Sequence, residues 1–257
     1  MICYPSSDNA VPLIVAGPQR SGTRFVTNVL NSVPGVTLQG EIPQPVMERL
    51  VDLAWKSGKK YSSDKRNYVR AGWDASKYDF MFAAWANLTK GRRKKAGKNC
   101  IFYGYKSPFH EKYFDFYNEF FHPVRPKYVC CVRSFPGHYF SVNARWPDRS
   151  VARVARRYVT SLNQLRYIKE KRPEDVLFFF LDDYKARGFE YLREKILDPL
   201  GLKDTAAAEK RAAKGPANAS AQLGLEKMDR FTRLQSLFLR IYPHPLEKYE
   251  ALHHDFG

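Results

Sequence analysis

The chain has 257 residues, 44% hydrophobic and 27% charged, which excludes wholesale disorder and fits one large globular domain. Lys and Arg total 43 against 26 Asp and Glu, a net charge of +17. That excess implies an anionic partner or surface and leaves nucleic acid, acidic lipid, sulfated glycan and phosphorylated nucleotide all open. The longest apolar run, Val176 to Leu181, is far shorter than the about 20 residues of a membrane span. The start MICYPSSDNA lacks the basic and apolar stretches of a secretory signal, so a cytoplasmic location is expected.

In chain order, Val11 to Ala16 is a short apolar run ending at Gly17-Pro18 and is predicted to be a buried strand. Ser21 to Ser32 follows with an apolar stripe of Phe25, Val26, Val29 and Leu30, the pattern of an amphipathic helix. Helical pieces are predicted over Val46 to Trp55 and Tyr78 to Leu88. Further strands are predicted at Cys100 to Tyr105, Lys127 to Val132 and Val176 to Leu181. Between the last two, Ser150 to Ile168 reads as a long helix, with Val151, Val154, Tyr158, Leu162 and Leu165 on one side. Arg149, Arg153, Arg156, Arg157 and Arg166 lie on its other side. A helix over Phe189 to Leu200 stops at Gly201. Asp204 to Ala221 is predicted to be a loop or weak helix, and Leu223 to Ile241 and Leu246 to His253 terminal helices. Apolar strands separated by helices predict an α/β fold: a mostly parallel sheet with helices on both faces, a three-layer sandwich. A single domain is expected over 1–257, its core at 11–202 and a C-terminal helical part at 203–257.

Cys3, Cys100, Cys130 and Cys131 show no metal-ligand spacing and are read as free thiols. His122, His138, His244, His253 and His254 form no metal spacing either, so no metal is expected. The basic run from Lys90 to Lys98 lacks interleaved aromatics, which argues against a single-strand nucleic-acid platform. It is read as a solvated loop or as an element steering an anion.

The stretch Gly17-Pro18-Gln19-Arg20-Ser21-Gly22-Thr23-Arg24 lies between a strand and an amphipathic helix. Backbone N–H groups in such a loop, with the helix N-terminus behind them, favour an anion. Gly17 to Gly22 fits the GxxxxG spacing, yet the Lys-Ser/Thr of a nucleoside-triphosphate loop is replaced by Thr23-Arg24. Farther on, the strand Lys127 to Val132 runs into Arg133, with Ser141 eight residues later. An arginine can fork onto a phosphate and a serine adds one hydrogen bond. Gly104-Tyr105-Lys106-Ser107-Pro108-Phe109 ends another strand, and Gly40-Glu41 follows the first loop by about twenty residues.

These segments resemble the sulfotransferases that use 3′-phosphoadenosine 5′-phosphosulfate (PAPS), in their bacterial, carbohydrate and tyrosylprotein branch, with a P-loop-like fold. The resemblance covers most of Pro12 to Leu202. It implies that Arg20, Ser21, Gly22, Thr23 and Arg24 cradle the 5′-phosphosulfate, and that Arg133 and Ser141 hold the 3′-phosphate. It implies that Lys106 contacts the bridging oxygen of the donor, with Arg20 stabilising charge beside it, and that Glu41 is the general base. Lys214, in a late loop running through Ser220, would close over the donor. Arg24 stands where the family has a second threonine. Leu181 stands where it has a tyrosine near adenine. The implied acceptor is a hydroxyl, with a saccharide as the first expectation. His110 is the rival base. Two other readings remain: a P-loop kinase using Asp182 and magnesium, and a non-catalytic module for anionic glycans or nucleic acid. Oligomeric state is not readable.

Overall fold

The structure, a computed structural model, describes residues 10–61, 84–85, 100–121, 125–215 and 229–257, with the backbone alone at 56–61. Among these residues five parallel strands form one sheet in the order β2-β3-β1-β4-β5, flanked by helices. The strands are β1 Val11–Ala16, β2 Val36–Gln39, β3 Phe102–Lys106, β4 Lys127–Val132 and β5 Val176–Phe180. Successive residues of β1 and β4 are buried, as in a parallel sheet covered on both faces. The predicted α/β class is therefore present. No helix among the described residues is long and apolar enough to cross a membrane.

By contact the chain divides into two compact units. The first comprises Met1–Ile14, Pro34–Lys106 and Tyr113–Lys127. Here Val36 pairs with Phe102 and Gln39 with Tyr105. A Cβ on Gly104 would stand 2.0 Å from the carbonyl oxygen of Leu13, so only glycine allows that approach. Helix α2, Gln44–Tyr61, is longer than the predicted 46–55. Helix α3, Phe114–Phe120, closes an aromatic core in which Trp85 meets Tyr103, Tyr105 and Phe121 at centroid distances of 5.7, 6.1 and 4.9 Å.

The second unit comprises Val15–Val33, Ser107–Lys112 and Tyr128–Gly257. Helix α1, Thr23–Leu30, turns its apolar stripe inward, with Phe25 against Phe179 and Tyr184 at 6.2 and 4.7 Å. Helices α4, Phe135–Arg145, and α5, Val151–Lys171, pack on each other. Ser150 caps α5 by accepting a hydrogen bond from the Arg153 N–H, a preferred N-cap arrangement. After β5 come α6, Leu181–Arg187, and α7, Phe189–Leu192, which runs into a π-helical turn over Arg193–Leu197. Helix α8, Ala206–Ala213, packs on α1, and α9, Arg233–Ile241, and α10, His244–Phe256, follow.

Several boundaries differ from the sequence reading. Strand β2 falls where only a helical insertion was predicted. Leu181 opens α6 rather than ending a strand, and Gly188, at φ +66°, separates α6 from α7. Strand β3 begins two residues after Cys100. Within 204–221, read as a loop or weak helix, Ala206–Ala213 is a helix. The segments 62–83, 86–99 and 216–228 lie outside the described residues, and with them the basic run 90–98 and most of the late loop.

Candidate functional site

Each strand hands the chain at its C-terminal end to a residue singled out by sequence. Arg20 follows β1, Glu41 follows β2, Lys106 ends β3, Arg133 follows β4 and Asp182 follows β5. In open α/β sheets this is the edge at which ligands bind.

Within the second unit, the loop between β1 and α1 takes backbone conformations that few side chains tolerate. Gly17 lies at φ +125° and Gly22 at φ +96°. A Cβ on Gly17 would stand 2.1 Å from the Cys131 carbonyl oxygen, so glycine lets the loop lie against β4. Arg20 itself is left-handed, φ +63°, at a cost of about 1–2 kcal/mol. Gly22 caps α1 with no side-chain hydrogen bond. The first N–H groups of a helix have no intrahelical acceptor, so this end suits an external anion.

The side chains around that loop bring the two sequence motifs together. Arg20 Nε donates to Ser141 Oγ at 3.0 Å, across 121 residues of chain. Ser21 is fully buried, and its Oγ has no hydrogen-bond partner. Arg133 is 8% exposed. Its carbonyl accepts a hydrogen bond from Tyr158 Oη at 2.6 Å, but its own Nε has none and stands 4.0 Å from Asp182 Oδ1. Gly137 leaves room for this guanidinium, because a Cβ there would lie 2.6 Å from Arg133 Nε. Burial, then the charges of Arg133 and Arg145, weaken the hold of Arg20 on its proton; burial does the same to Arg133, with Asp182 opposing it. A buried polar atom left unsatisfied costs about 1–3 kcal/mol. Ser21 Oγ and Arg133 Nε, beside a second arginine, are the donors that a bound phosphate or sulfate would satisfy.

His138 sits under this cluster. Its ring packs on Tyr158 and Phe135 at 4.8 and 6.4 Å. Burial, aided by Arg133 and Arg20, pushes its pKa down to about 3, against the pull of a hydrogen bond with the Gln19 backbone. The neutral imidazole therefore helps hold the loop. Gln19 is gripped from its side chain too: Arg149 Nη1 donates to Gln19 Oε1 at 3.0 Å, while the same guanidinium lies 4.1 Å from the Trp146 ring centroid. That ring face is occupied by Arg149.

Asp182, the carboxylate of the kinase alternative, accepts hydrogen bonds from Ser134 N–H at 2.7 Å and Lys185 Nζ at 3.2 Å. Burial raises its pKa, but these bonds and Lys185 outweigh burial and hold it below the usual carboxylate value. Among the described residues no group of three His, Cys, Asp or Glu could hold a metal ion.

Within the first unit, Lys106 Nζ is paired with Glu41 Oε1. The lysine side chain is 11% exposed and that of the glutamate 57%. Glu41 lies three residues before α2 rather than inside it. His110, in the second unit, is buried in a 3-10 turn. Arg24 is exposed in the first turn of α1 and Lys214 is exposed at the C-terminal end of α8; neither is bonded to the loop side chains described above.

Glu111 was not legible as a site residue. It is 1% exposed, and its Oε2 accepts the Gly17 N–H at 3.1 Å while Oε1 is hydrogen-bonded to the Ser161 hydroxyl. The available signal was an acid set among Tyr113, Phe114 and Phe116, directly after the Lys106 motif.

No protein-family model and no curated protein matches the chain. A sulfotransferase domain from the olefin synthase of Synechococcus PCC 7002 is 15% identical, with a TM-score of 0.51 over 93% of this chain and 96% of that one. Sulfotransferase STF9 from Mycobacterium avium is 13% identical, with a TM-score of 0.45 over 80% of this chain and 67% of that one. STF1 from Mycobacterium tuberculosis H37Rv is 14% identical, with a TM-score of 0.46 over 84% and 74%. At these identities likeness speaks for fold, and the first comparison, which spans nearly all of both chains, carries it. This chain has the fold of a sulfotransferase domain.

Proposed function

We propose that the chain is a PAPS-dependent sulfotransferase acting on an acceptor hydroxyl. The observation that carries this reading is the cluster in which Arg20 Nε meets Ser141 Oγ at 3.0 Å beside the unsatisfied Ser21 Oγ and Arg133 Nε. PAPS presents on the order of four negative charges, and these donors suit it. Arg20, Ser21, Gly22 and Thr23 bind its 5′ end, and Arg133 and Ser141 its 3′-phosphate. Arg24 and Lys214, both exposed, are assigned to the outer part of the donor.

In this reading Glu41 removes the acceptor hydroxyl proton as that oxygen attacks sulfur. The new O–S bond forms while the bond from sulfur to the phosphate oxygen breaks. Lys106 and Arg20 stabilise the charge that builds on the leaving oxygen. The ion pair between Glu41 and Lys106 supports the base assignment, because it sets the carboxylate beside the lysine assigned to the donor's bridging oxygen. A saccharide is the proposed acceptor, from the net charge of +17 and the sequence resemblance of the Lys106 segment to that of carbohydrate sulfotransferases. The test is calorimetry with adenosine 3′,5′-bisphosphate: binding is expected with the wild type and lost in Arg133→Ala. Failure of the wild type to bind would leave the fold without the activity. Catalysis that EDTA abolishes would instead favour the magnesium-dependent reading with Asp182.

A further inference from the structure

The second unit contains a buried carboxyl group that the proposed chemistry does not use. Glu111 lies in the 3-10 turn His110–Tyr113 and is 1% exposed. Among the described residues no cation pairs with it. Its bonds are to the Gly17 N–H, at 3.1 Å, and to the Ser161 hydroxyl. The same segment is tied to the loop twice more through backbone, by Ser107 N–H to the Val15 carbonyl at 3.0 Å and Phe109 N–H to the Gly17 carbonyl at 3.0 Å. Gly17 is thus bound on both its N–H and its carbonyl by one short stretch, and Phe109 takes a left-handed φ of +63° in making it.

The two bonds of Glu111 work in either protonation state. A carboxylate accepts from both Gly17 N–H and Ser161 Oγ–H. A carboxylic acid with its proton on Oε1 donates to Ser161 Oγ, a hydroxyl that can reverse its role, and still accepts the Gly17 N–H on Oε2. No heavy atom need move. The groups facing this carboxyl are few. Arg157 of α5 lies nearby, but its guanidinium stacks over the Phe109 ring at 4.0 Å. Cys130 of β4 feels the carboxylate, and burial together with that charge pushes its thiol far up, so it stays neutral. His110 precedes Glu111 in the turn. Burial raises the Glu111 pKa, and its hydrogen bonds and Arg157 oppose that rise. A polyanion seated in the loop would add a further penalty to any negative charge behind Gly17.

We propose that Glu111 is a positioning residue of the anion loop, and that it takes up a proton when a polyanionic nucleotide binds there. The inference rests on the donor reading given above. Binding moves one proton from solvent to Oε1, and nothing else is consumed. By linkage, uptake makes affinity fall as pH rises, by up to about tenfold per pH unit.

The experiment is calorimetry with adenosine 3′,5′-bisphosphate between about pH 6 and 8.5, repeated in buffers of different ionisation enthalpy, on the wild type and on Glu111→Gln. Glutamine keeps an acceptor for Gly17 N–H but cannot titrate. The ligand phosphates contribute alike in both proteins, so the difference in proton count reports Glu111. A wild-type uptake that exceeds the variant's, with a matching loss of pH dependence in the variant, is expected. Equal counts with intact binding overturn the inference and leave the donor reading standing. Absence of binding to the wild type overturns both. Should Glu111→Gln not fold, infrared difference spectra of the wild type decide: a gain in the protonated-carboxyl stretch on adding the bisphosphate supports the inference, and no gain refutes it.

Discussion

The two charged centres of this molecule handle their charge in opposite ways. Lys106 meets its counterion, Glu41, within its own unit, and the glutamate side chain stays 57% exposed. Around the loop after β1, Ser21 Oγ and Arg133 Nε are buried without a hydrogen bond among the described residues, while Arg133 and Arg145 both repel Arg20. A satisfied, exposed ion pair contributes about 0–1 kcal/mol to stability and can exchange partners cheaply, as a group that must move a proton should. Buried donors without partners cost stability in the free protein, a cost that a bound anion of the proposed kind would recover. The contrast separates a region suited to reaction from one suited to binding.

The contrast can be broken first at Glu41. Replacing it with glutamine should lower turnover of PAPS, with any acceptor the wild type uses, by about 10²–10⁴-fold. Affinity for adenosine 3′,5′-bisphosphate should stay within about twofold. A parallel loss of affinity would show that the two centres do not divide the work. Next in size is Arg133→Ala, expected to weaken bisphosphate binding about 10²-fold from the loss of charge-assisted bonds; calorimetry showing less than threefold would remove Arg133 from the binding set.

Two glycines sharpen the comparison. A Cβ on Gly17 meets the Cys131 carbonyl at 2.1 Å, and one on Gly104 meets the Leu13 carbonyl at 2.0 Å. Alanine at either position should destabilise the fold by about 1–3 kcal/mol, read by thermal unfolding. Alanine at Gly17 alone should also weaken bisphosphate binding under conditions where both variants remain folded. The last prediction concerns His138 and is read as a slope against pH. Its folded pKa of about 3 lies below the ordinary 6.5, so its contribution is complete above 6.5 and is lost as pH falls toward 3. Urea midpoints should therefore decline below pH 6.5 with a slope of up to about 1.4 kcal/mol per pH unit. His138→Gln should flatten that decline, and an unchanged slope would assign it to other groups.

The loop after β1 and the strand leading to Arg133 were legible because continuous apolar runs and a glycine-rich turn state their structure locally. Arg20 and Ser141 were expected to bind opposite ends of one ligand, and they touch. Strand β2 was missed because Val36–Gln39 offers four residues after Pro34-Gly35, too few for a period to declare itself. The π-helical turn over Arg193–Leu197 was missed because the apolar residues from Phe189 to Leu200 keep a helical spacing while the backbone widens. Glu111 was invisible for a different reason. Its partner is the main-chain N–H of a residue 94 positions away, and a backbone donor leaves no side-chain signature in the primary structure.

Tyr158 holds the Arg133 carbonyl, and Ser161 holds Glu111, which holds Gly17. These two anchors stand three residues apart on α5, about 4.5 Å along its axis. One rod thus fastens the supports of both anion-binding motifs, so they cannot drift independently. If the donor reading holds, that rod acts as a gauge of fixed length, and a nucleotide whose charged ends are spaced otherwise would be refused by mismatch of span even with its full complement of charge.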